Sequence, residues 1–317
     1  MASVSPSPAV RPQAAQAPGA PARSVPALFV ASLRPEQWTK NLIVFAGALF
    51  GGRLLDLQAL TAATATFAIF CGLSGTVYLF NDLADRTADQ RHPLKRSRPI
   101  ASGQLSTTVA LVAAAVLGVL AIAAATLIQP VLGLVAASYV GLLLGYSAFL
   151  KHVVIIDALT IAGGFVLRAV AGAVAVGVPI SQWLLVCTTL LALFLAFSKR
   201  RHELTLLADG AVEHRRILHE YTPYLLDQMI GVVTASTLIA YAVYATSAET
   251  AQRLGTARLG LTIPFVLYGI FRYLYLVHQK RGGGSPAAML ANDGPLLACV
   301  ALWAAAVALV LYTPLGQ

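Results

Sequence analysis

The chain has 317 residues, 58% of them hydrophobic and only 11% charged, with a formal net charge of +9. A soluble domain usually carries about 25% charged residues, so a soluble globular class is excluded. Its long apolar runs are continuous rather than alternating, which predicts an all-α, polytopic membrane protein and argues against a β-barrel.

Residues 1–26 are rich in Pro, Ala and Ser and lack the apolar centre of a signal peptide. They are read as a disordered tail, leaving 27–317 as a single transmembrane domain. Nine spans are predicted, at roughly 38–56, 59–82, 105–128, 131–150, 153–177, 180–199, 225–247, 257–278 and 295–313. Each is near the ~20 residues needed to cross a bilayer. The first is the weakest, because Gly51, Gly52, Arg53 and Asp56 shorten its apolar part. Cys71, Cys187 and Cys299 all fall inside apolar segments without a CxxC spacing, so neither disulfides nor zinc are expected.

With the N-terminus assigned to the cytoplasm, seventeen Lys and Arg residues fall on the cytoplasmic side and three on the other. The positive-inside rule supports that orientation. Only Asp56 and Glu249 of the acidic residues face outward, and the long loops, 83–104 and 200–224, lie on the cytoplasmic side. A cytoplasmic-facing polar cavity in the plasma membrane is therefore expected. The placement of the positive charge argues against nucleic acid as a partner. A homo-oligomer is left open.

The densest chemistry follows the second span. Asp82, Asp85 and Asp89 stand at i, i+3 and i+7, a spacing that puts all three on one face of a helix. Clustered carboxylates repel one another unless a cation lies between them. A hard divalent ion such as Mg²⁺ satisfies them and keeps waters and substrate phosphates as its other ligands. Asn81 with Asp85 could share one ion, and Asp82 with Asp89 a second. The neighbouring Arg91, Lys95 and Arg98 suit the phosphate oxygens that a metal leaves open. The plainer alternative is a solvated helix end whose carboxylates only balance nearby arginines.

Tyr146 and Lys151 close the fourth span, either as an interfacial anchor or as a phenol and an ammonium directed at phosphate. Asp157 and Arg168 follow on the fifth, close to three turns apart and so on one side of the helix. An intramembrane Arg lines a polar cavity or pairs with an acid. Lys199, Arg200, Arg201 and Glu203 end the sixth span, with Lys199 and Glu203 at i, i+4. That run is either a topology signal or a cationic patch for a phosphate. Arg272, Tyr273 and Tyr275 lie on the eighth span, and Asp293 is an N-cap or a cavity residue. Gly282–Gly284 reads as a linker.

Together these pieces resemble the UbiA superfamily of membrane prenyltransferases over residues ~30–313. The Asn/Asp-Asp-x-x-Asp-x-x-x-Asp signature matches Asn81, Asp82, Asp85 and Asp89, and Tyr-x-x-x-x-Lys matches Tyr146 and Lys151. The resemblance implies a nine-helix fold and a Mg²⁺-diphosphate site on those aspartates. One departure narrows it. Aromatic prenyltransferases of this family carry a second Asp-rich motif near the end of the sixth span, where this chain reads Ser198-Lys199-Arg200-Arg201-His202-Glu203. With Arg34–Asn41 and His92–Gly103, that resembles the decaprenyl-phosphate phosphoribosyltransferase branch. The implied reaction transfers a phosphoribosyl group from phosphoribosyl pyrophosphate to a polyprenyl phosphate, on the path to arabinose donors for the cell wall. The catalytic residues would be Asp82, Asp85 and Asp89. Lys40, Lys95 and the Lys199–Arg201 patch would be candidates for the sugar phosphate, and Lys151 and Arg168 for other anionic groups. The alternatives are an aromatic prenyltransferase and a transporter of an anionic metabolite with Arg168 and Arg272 in its pathway.

Overall fold

The computed structural model describes residues 24–93, 95–208, 216–280 and 282–313. The expected tail lies outside the described residues up to position 23, while Val25 and Pro26 already belong to α1 (Val25–Ser32). A 3₁₀ helix over Pro35–Phe45 runs into the short α2 (Ala46–Phe50). Then come α3 (Leu57–Ala84), α4 (Arg86–Arg91), α5 (Thr107–Ile128), α6 (Pro130–Ala148) and α7 (Ile156–Ala175). The chain continues through α8 (Gln182–Ala208), α9 (Pro223–Thr246), α10 (Ala248–Leu254), α11 (Ile263–Gln279), α12 (Pro286–Asn292) and α13 (Gly294–Tyr312). Among the described residues, eight helices are long and apolar enough to cross a bilayer.

The first predicted span, 38–56, is the one that differs. It is a 3₁₀ segment followed by a five-residue α-helix, not a regular membrane helix. Its ends nevertheless lie at opposite ends of α3. Arg34 contacts Asp82 in the last turn of α3, and Arg53 contacts Asp56, which caps its first turn. A 3₁₀ helix rises about 2.0 Å per residue against 1.5 Å for an α-helix, so the tighter winding lets few residues cover the depth.

Helix ends are set by local chemistry. Asp56, Ser106, Thr222 and Asp293 each accept a backbone N–H at an N-terminus. Pro130, Pro223, Pro286 and Pro295 sit at first-turn positions, where a missing N–H is harmless. One core gathers Phe70, Leu73, Leu132 and Tyr139 between α3, α5, α6 and α7. A second gathers Phe194, Leu226, Ile230 and Tyr273 between α8, α9 and α11. Outward faces are apolar too: α5 exposes Val112, Val116, Val119 and Leu120, as a lipid-facing helix does. At the far end Tyr312 Oη donates to Leu49 O at 2.8 Å and accepts from Leu54 N at 3.1 Å, tying α13 to the first segment.

The first segment interlocks with α7 through glycine. A Cβ on Gly172 would lie 1.9 Å from Val44 O, and one on Gly47 would lie 2.6 Å from Ala173 N. Both obstacles are backbone and cannot turn aside. Gly172→Ala is expected to lose about 2–3 kcal/mol by overpacking, read as a lowered Tm in detergent. Gly141→Ala, whose Cβ meets nothing within 4 Å, is the matched control. Equal melting of the two variants would contradict the interlock.

Candidate functional site

The polar groups gather at the end of the bundle where α3 and α8 finish. The predicted single helix face for the three aspartates does not form. α3 ends at Ala84, Asp85 leaves the helix at ψ 5°, and α4 restarts at Arg86 and carries Asp89. The break divides the motif. Asp82 Oδ1 accepts from Arg34 Nη2 at 2.5 Å and from Arg98 Nη1 at 3.1 Å. The same Arg98 nitrogen reaches Asp89 Oδ2 at 2.6 Å, and Lys95 Nζ lies 3.9 Å from Asp89 Oδ1. Asp85 instead takes Lys151 Nζ at 2.6 Å. Asn81 Oδ1 accepts from Ser147 Oγ at 3.2 Å. Arg91 is exposed at the end of α4.

One nitrogen touching two carboxylates shows that Asp82 and Asp89 aim at a common point. Hard oxygen donors so placed suit Mg²⁺, which takes one or two carboxylates and completes its shell from water and substrate phosphate. The other expected pair, Asn81 and Asp85, takes separate partners, Ser147 and Lys151. Among the described residues no three acidic, His or Cys side chains share a single point.

The basic half lies across from it. Arg200 is 2% exposed and Asp157 is 0% exposed. Arg200 Nε donates to Asp157 Oδ2 at 2.9 Å, Nη1 to Glu203 Oε2 at 2.7 Å, and Nη2 to Tyr146 Oη at 3.4 Å. Lys199 lies 4.0 Å from Glu203 on the next face, as the i, i+4 spacing expects. Tyr221 Oη donates to Asp157 Oδ1 at 2.9 Å. Burial pushes the Tyr221 phenol up to about 12, so it stays protonated as a donor.

Three expected substrate-binding arginines are engaged elsewhere. Arg168 does not pair with Asp157. It lies 5% exposed, donating to Asn41, Gly164, Ser74 and Tyr139, and it does not line the cavity described below. Arg201 turns away from Arg200, one helical step on, and pairs with Asp227, to which His278 also bonds. Arg272 binds Asp293 at 2.8 Å and stacks over Tyr275. Asp293 is the N-cap of α13, and its hydrogen bond from Arg272 holds its carboxyl below the usual range. The Gly282–Gly284 linker packs on α8, where a Cβ on Gly284 would come 2.7 Å from the His202 ring.

Behind the polar groups lies an apolar cavity of about 780 Å³, bounded by the first segment, α8, α9, α11 and α13. Its one charged lining residue among the described residues is Lys40. The charges of Lys199, Arg168 and Arg34 all bear on that ammonium. Such a group of cations favours an anion beside it.

A sequence model described as the UbiA prenyltransferase family matches residues 41–292. The chain belongs to the UbiA prenyltransferase family. The decaprenyl-phosphate phosphoribosyltransferase of Corynebacterium glutamicum is 32% identical over 90% of this chain and 86% of its own length. The enzyme of that name from Mycobacterium tuberculosis is 32% identical over 90% of this chain and 95% of its own length. The solved UbiA homologue of Archaeoglobus fulgidus, bound to DMAPP and Mg²⁺, superposes with a TM-score of 0.68 at 19% identity, covering 88% of this chain and 97% of that one. That likeness establishes the UbiA fold. The chain is thus a membrane transferase similar to the decaprenyl-phosphate phosphoribosyltransferases.

Several site residues escaped the sequence reading. Asn41 and Arg34 were visible only as parts of a motif, although a buried Asn inside an apolar run is itself a signal. Arg200 was indistinguishable from Arg201 by composition. Tyr221 and Asp227 carry no local signature.

Proposed function

We propose that the protein transfers the phosphoribosyl group of phosphoribosyl pyrophosphate to a polyprenyl phosphate, with Mg²⁺, at the cytoplasmic face of the plasma membrane. The observation that carries this reading is the basic end of α8. Lys199 and the buried Arg200 stand where an aromatic prenyltransferase of the family would place a second acidic site. A donor with anionic groups at both ends needs carboxylates for a metal at one end and cations at the other. The relatives' names point the same way.

In the reaction, a phosphate oxygen of the lipid forms a bond to C1 of the ribose. The bond from C1 to the diphosphate breaks, and the electron pair leaves with pyrophosphate. The lipid phosphate is already ionised near neutral pH (second pKa ≈ 6), so no strong general base is needed. Asp82 and Asp89 would hold Mg²⁺, whose chemistry there is to stabilise charge on the departing diphosphate. Arg34 and Arg98 border the same point and supply further positive charge. Lys199 and Lys40 supply charge for the remaining phosphates. The apolar cavity suits the polyprenyl tail, with Lys40 at its polar end.

The test is purified protein with radiolabelled phosphoribosyl pyrophosphate, polyprenyl phosphate and Mg²⁺, followed by lipid extraction. Label in the lipid phase is expected, and none from a labelled prenyl diphosphate with an aromatic acceptor. The reverse pattern would return the chain to aromatic prenyl transfer. Uptake of an anion into vesicles without product would mean transport.

Lys199→Ala is expected to raise the donor KM about tenfold, the worth of one charge-assisted contact. Arg201→Ala should leave that KM within about twofold, because Arg201 is committed to Asp227. Equal effects in the two variants would mean that the whole basic turn acts as one patch.

A further inference from the structure

Behind the buried Arg200 runs a hydrogen-bonded line whose inner members, Asp157, Tyr221 and Ile155, have no part in the reaction so far. Ile155 N donates to Tyr221 Oη at 2.7 Å, and Tyr221 Oη donates to Asp157 Oδ1 at 2.9 Å. Asp157 spends its other oxygen on Arg200 Nε at 2.9 Å. Arg200 then reaches Glu203 and Tyr146. The line runs from the entry of α7 through the 216–221 turn to the last turns of α8 and the end of α6.

Its first member is strained. Ile155 has φ 69°, and the only other non-glycine residue with positive φ among the described residues is Arg34 at 52°. A β-branched side chain is a true outlier in that region and persists only where its surroundings fix it. Both outliers stand beside carboxylates of the charged end, Arg34 on Asp82 and Ile155 two residues before Asp157. At Ile155 the strained turn aims a backbone N–H at the Tyr221 oxygen. That donor occupies a lone pair of the phenol, which leaves the hydroxyl proton directed at Asp157. Tyr221 is 3% exposed and does not line the cavity, so it has no route to substrate of its own.

We propose that Tyr221 is a positioning residue for the donor's anionic end. It fixes the carboxylate of Asp157, which fixes the guanidinium of Arg200 on Glu203, the carboxylate that lies 4.0 Å from the donor-binding Lys199. A carboxylate held by one charged partner alone could rotate about its bond. The second hydrogen bond removes that freedom, so Arg200 holds Glu203, and with it Lys199, in one arrangement. This inference rests on the proposed phosphoribosyl transfer.

The test compares wild type, Tyr221→Phe and the control Tyr224→Phe as full-length purified chains, measuring KM for both substrates, kcat and Tm. Tyr221→Phe should raise KM for phosphoribosyl pyrophosphate about tenfold while KM for polyprenyl phosphate moves by less than about twofold. Tyr224→Phe, at an exposed tyrosine outside the line, should match wild type in both. Unchanged constants in Tyr221→Phe would overturn the inference, as would equal rises in both KM values with a lowered Tm, which mark a merely structural role. Should Tyr221→Phe not fold, Asp157→Asn carries the same test with the same expected split. Wild-type protein that puts no label from phosphoribosyl pyrophosphate into lipid would sink the parent reading. An active wild type with an unsplit variant sinks this inference alone.

Discussion

Asp82→Asn is expected to lower kcat/KM by at least about 100-fold while leaving the protein folded and in the membrane. The side chain is 3% exposed and accepts hydrogen bonds from Arg34 and Arg98. Asn keeps the size and one accepting oxygen, so both arginines retain a partner, yet the negative charge is gone. The geometry also separates the three aspartates. Asp82 and Asp89 meet at one point through Arg98, whereas Asp85 is committed to Lys151. Asp89→Asn should therefore raise the Mg²⁺ concentration needed for half-maximal rate by about tenfold or more. Asp85→Asn should alter that midpoint less, its loss of rate arising from a released Lys151. EDTA should abolish wild-type turnover, and restored Mg²⁺ should return it. Near wild-type turnover in EDTA, or identical Mg²⁺ midpoints in all three variants, would contradict the assignment. Melting curves matching wild type are the control that the loss is chemical.

The sequence made the membrane helices legible because hydrophobic runs of bilayer length admit few other readings. It missed at Pro35–Phe45, where composition says apolar segment but backbone winding is decided by contacts. Gly172 lets the segment press against α7, and Pro35 with the left-handed Arg34 sets its entry. The aspartate motif was legible by spacing, but the helix break at Asp85 was not, because no Pro or Gly marks it. Ion pairs between distant segments were the least legible part. Arg34 meets Asp82 across 48 positions and Arg200 meets Asp157 across 43. Arg200 and Arg201 are chemically identical neighbours. One helical step of about 100° sends the first to the buried Asp157 and the second to Asp227. Nothing in the local sequence could assign those fates.

Arg168→Met is expected to cost about 2–4 kcal/mol, and the double variant Arg168→Met with Asn41→Leu to recover most of that. Arg168 is 5% exposed, and the hydrogen-bond acceptors around it are all neutral: Asn41 Oδ1 at 2.6 Å, Tyr139 Oη at 2.5 Å, Gly164 O at 3.0 Å and Ser74 Oγ at 3.4 Å. The guanidinium also lies 4.7 Å over the Tyr139 ring. It therefore joins the first segment, α3, α6 and α7 through a single planar fork. Asn41 is 0% exposed, its Nδ2 donates to Cys71 Sγ and its Oδ1 also accepts from Ser74 Oγ at 3.3 Å. Losing Arg168 therefore leaves that oxygen only the longer, uncharged bond and no solvent to replace the other. Taking the charged donor from a buried acceptor forfeits a bond worth about 1.5–3 kcal/mol, whereas replacing both partners by apolar groups of similar shape approaches neutrality. Arg168→Lys should fall between, since an ammonium cannot reproduce the fork. Thermal unfolding in detergent measures all three. A single variant as stable as wild type would show that the segment is held by glycine packing alone. Recovery of stability without recovery of activity in the double variant would place the network's second effect at Lys40, the next residue to Asn41 and the charged mouth of the apolar cavity.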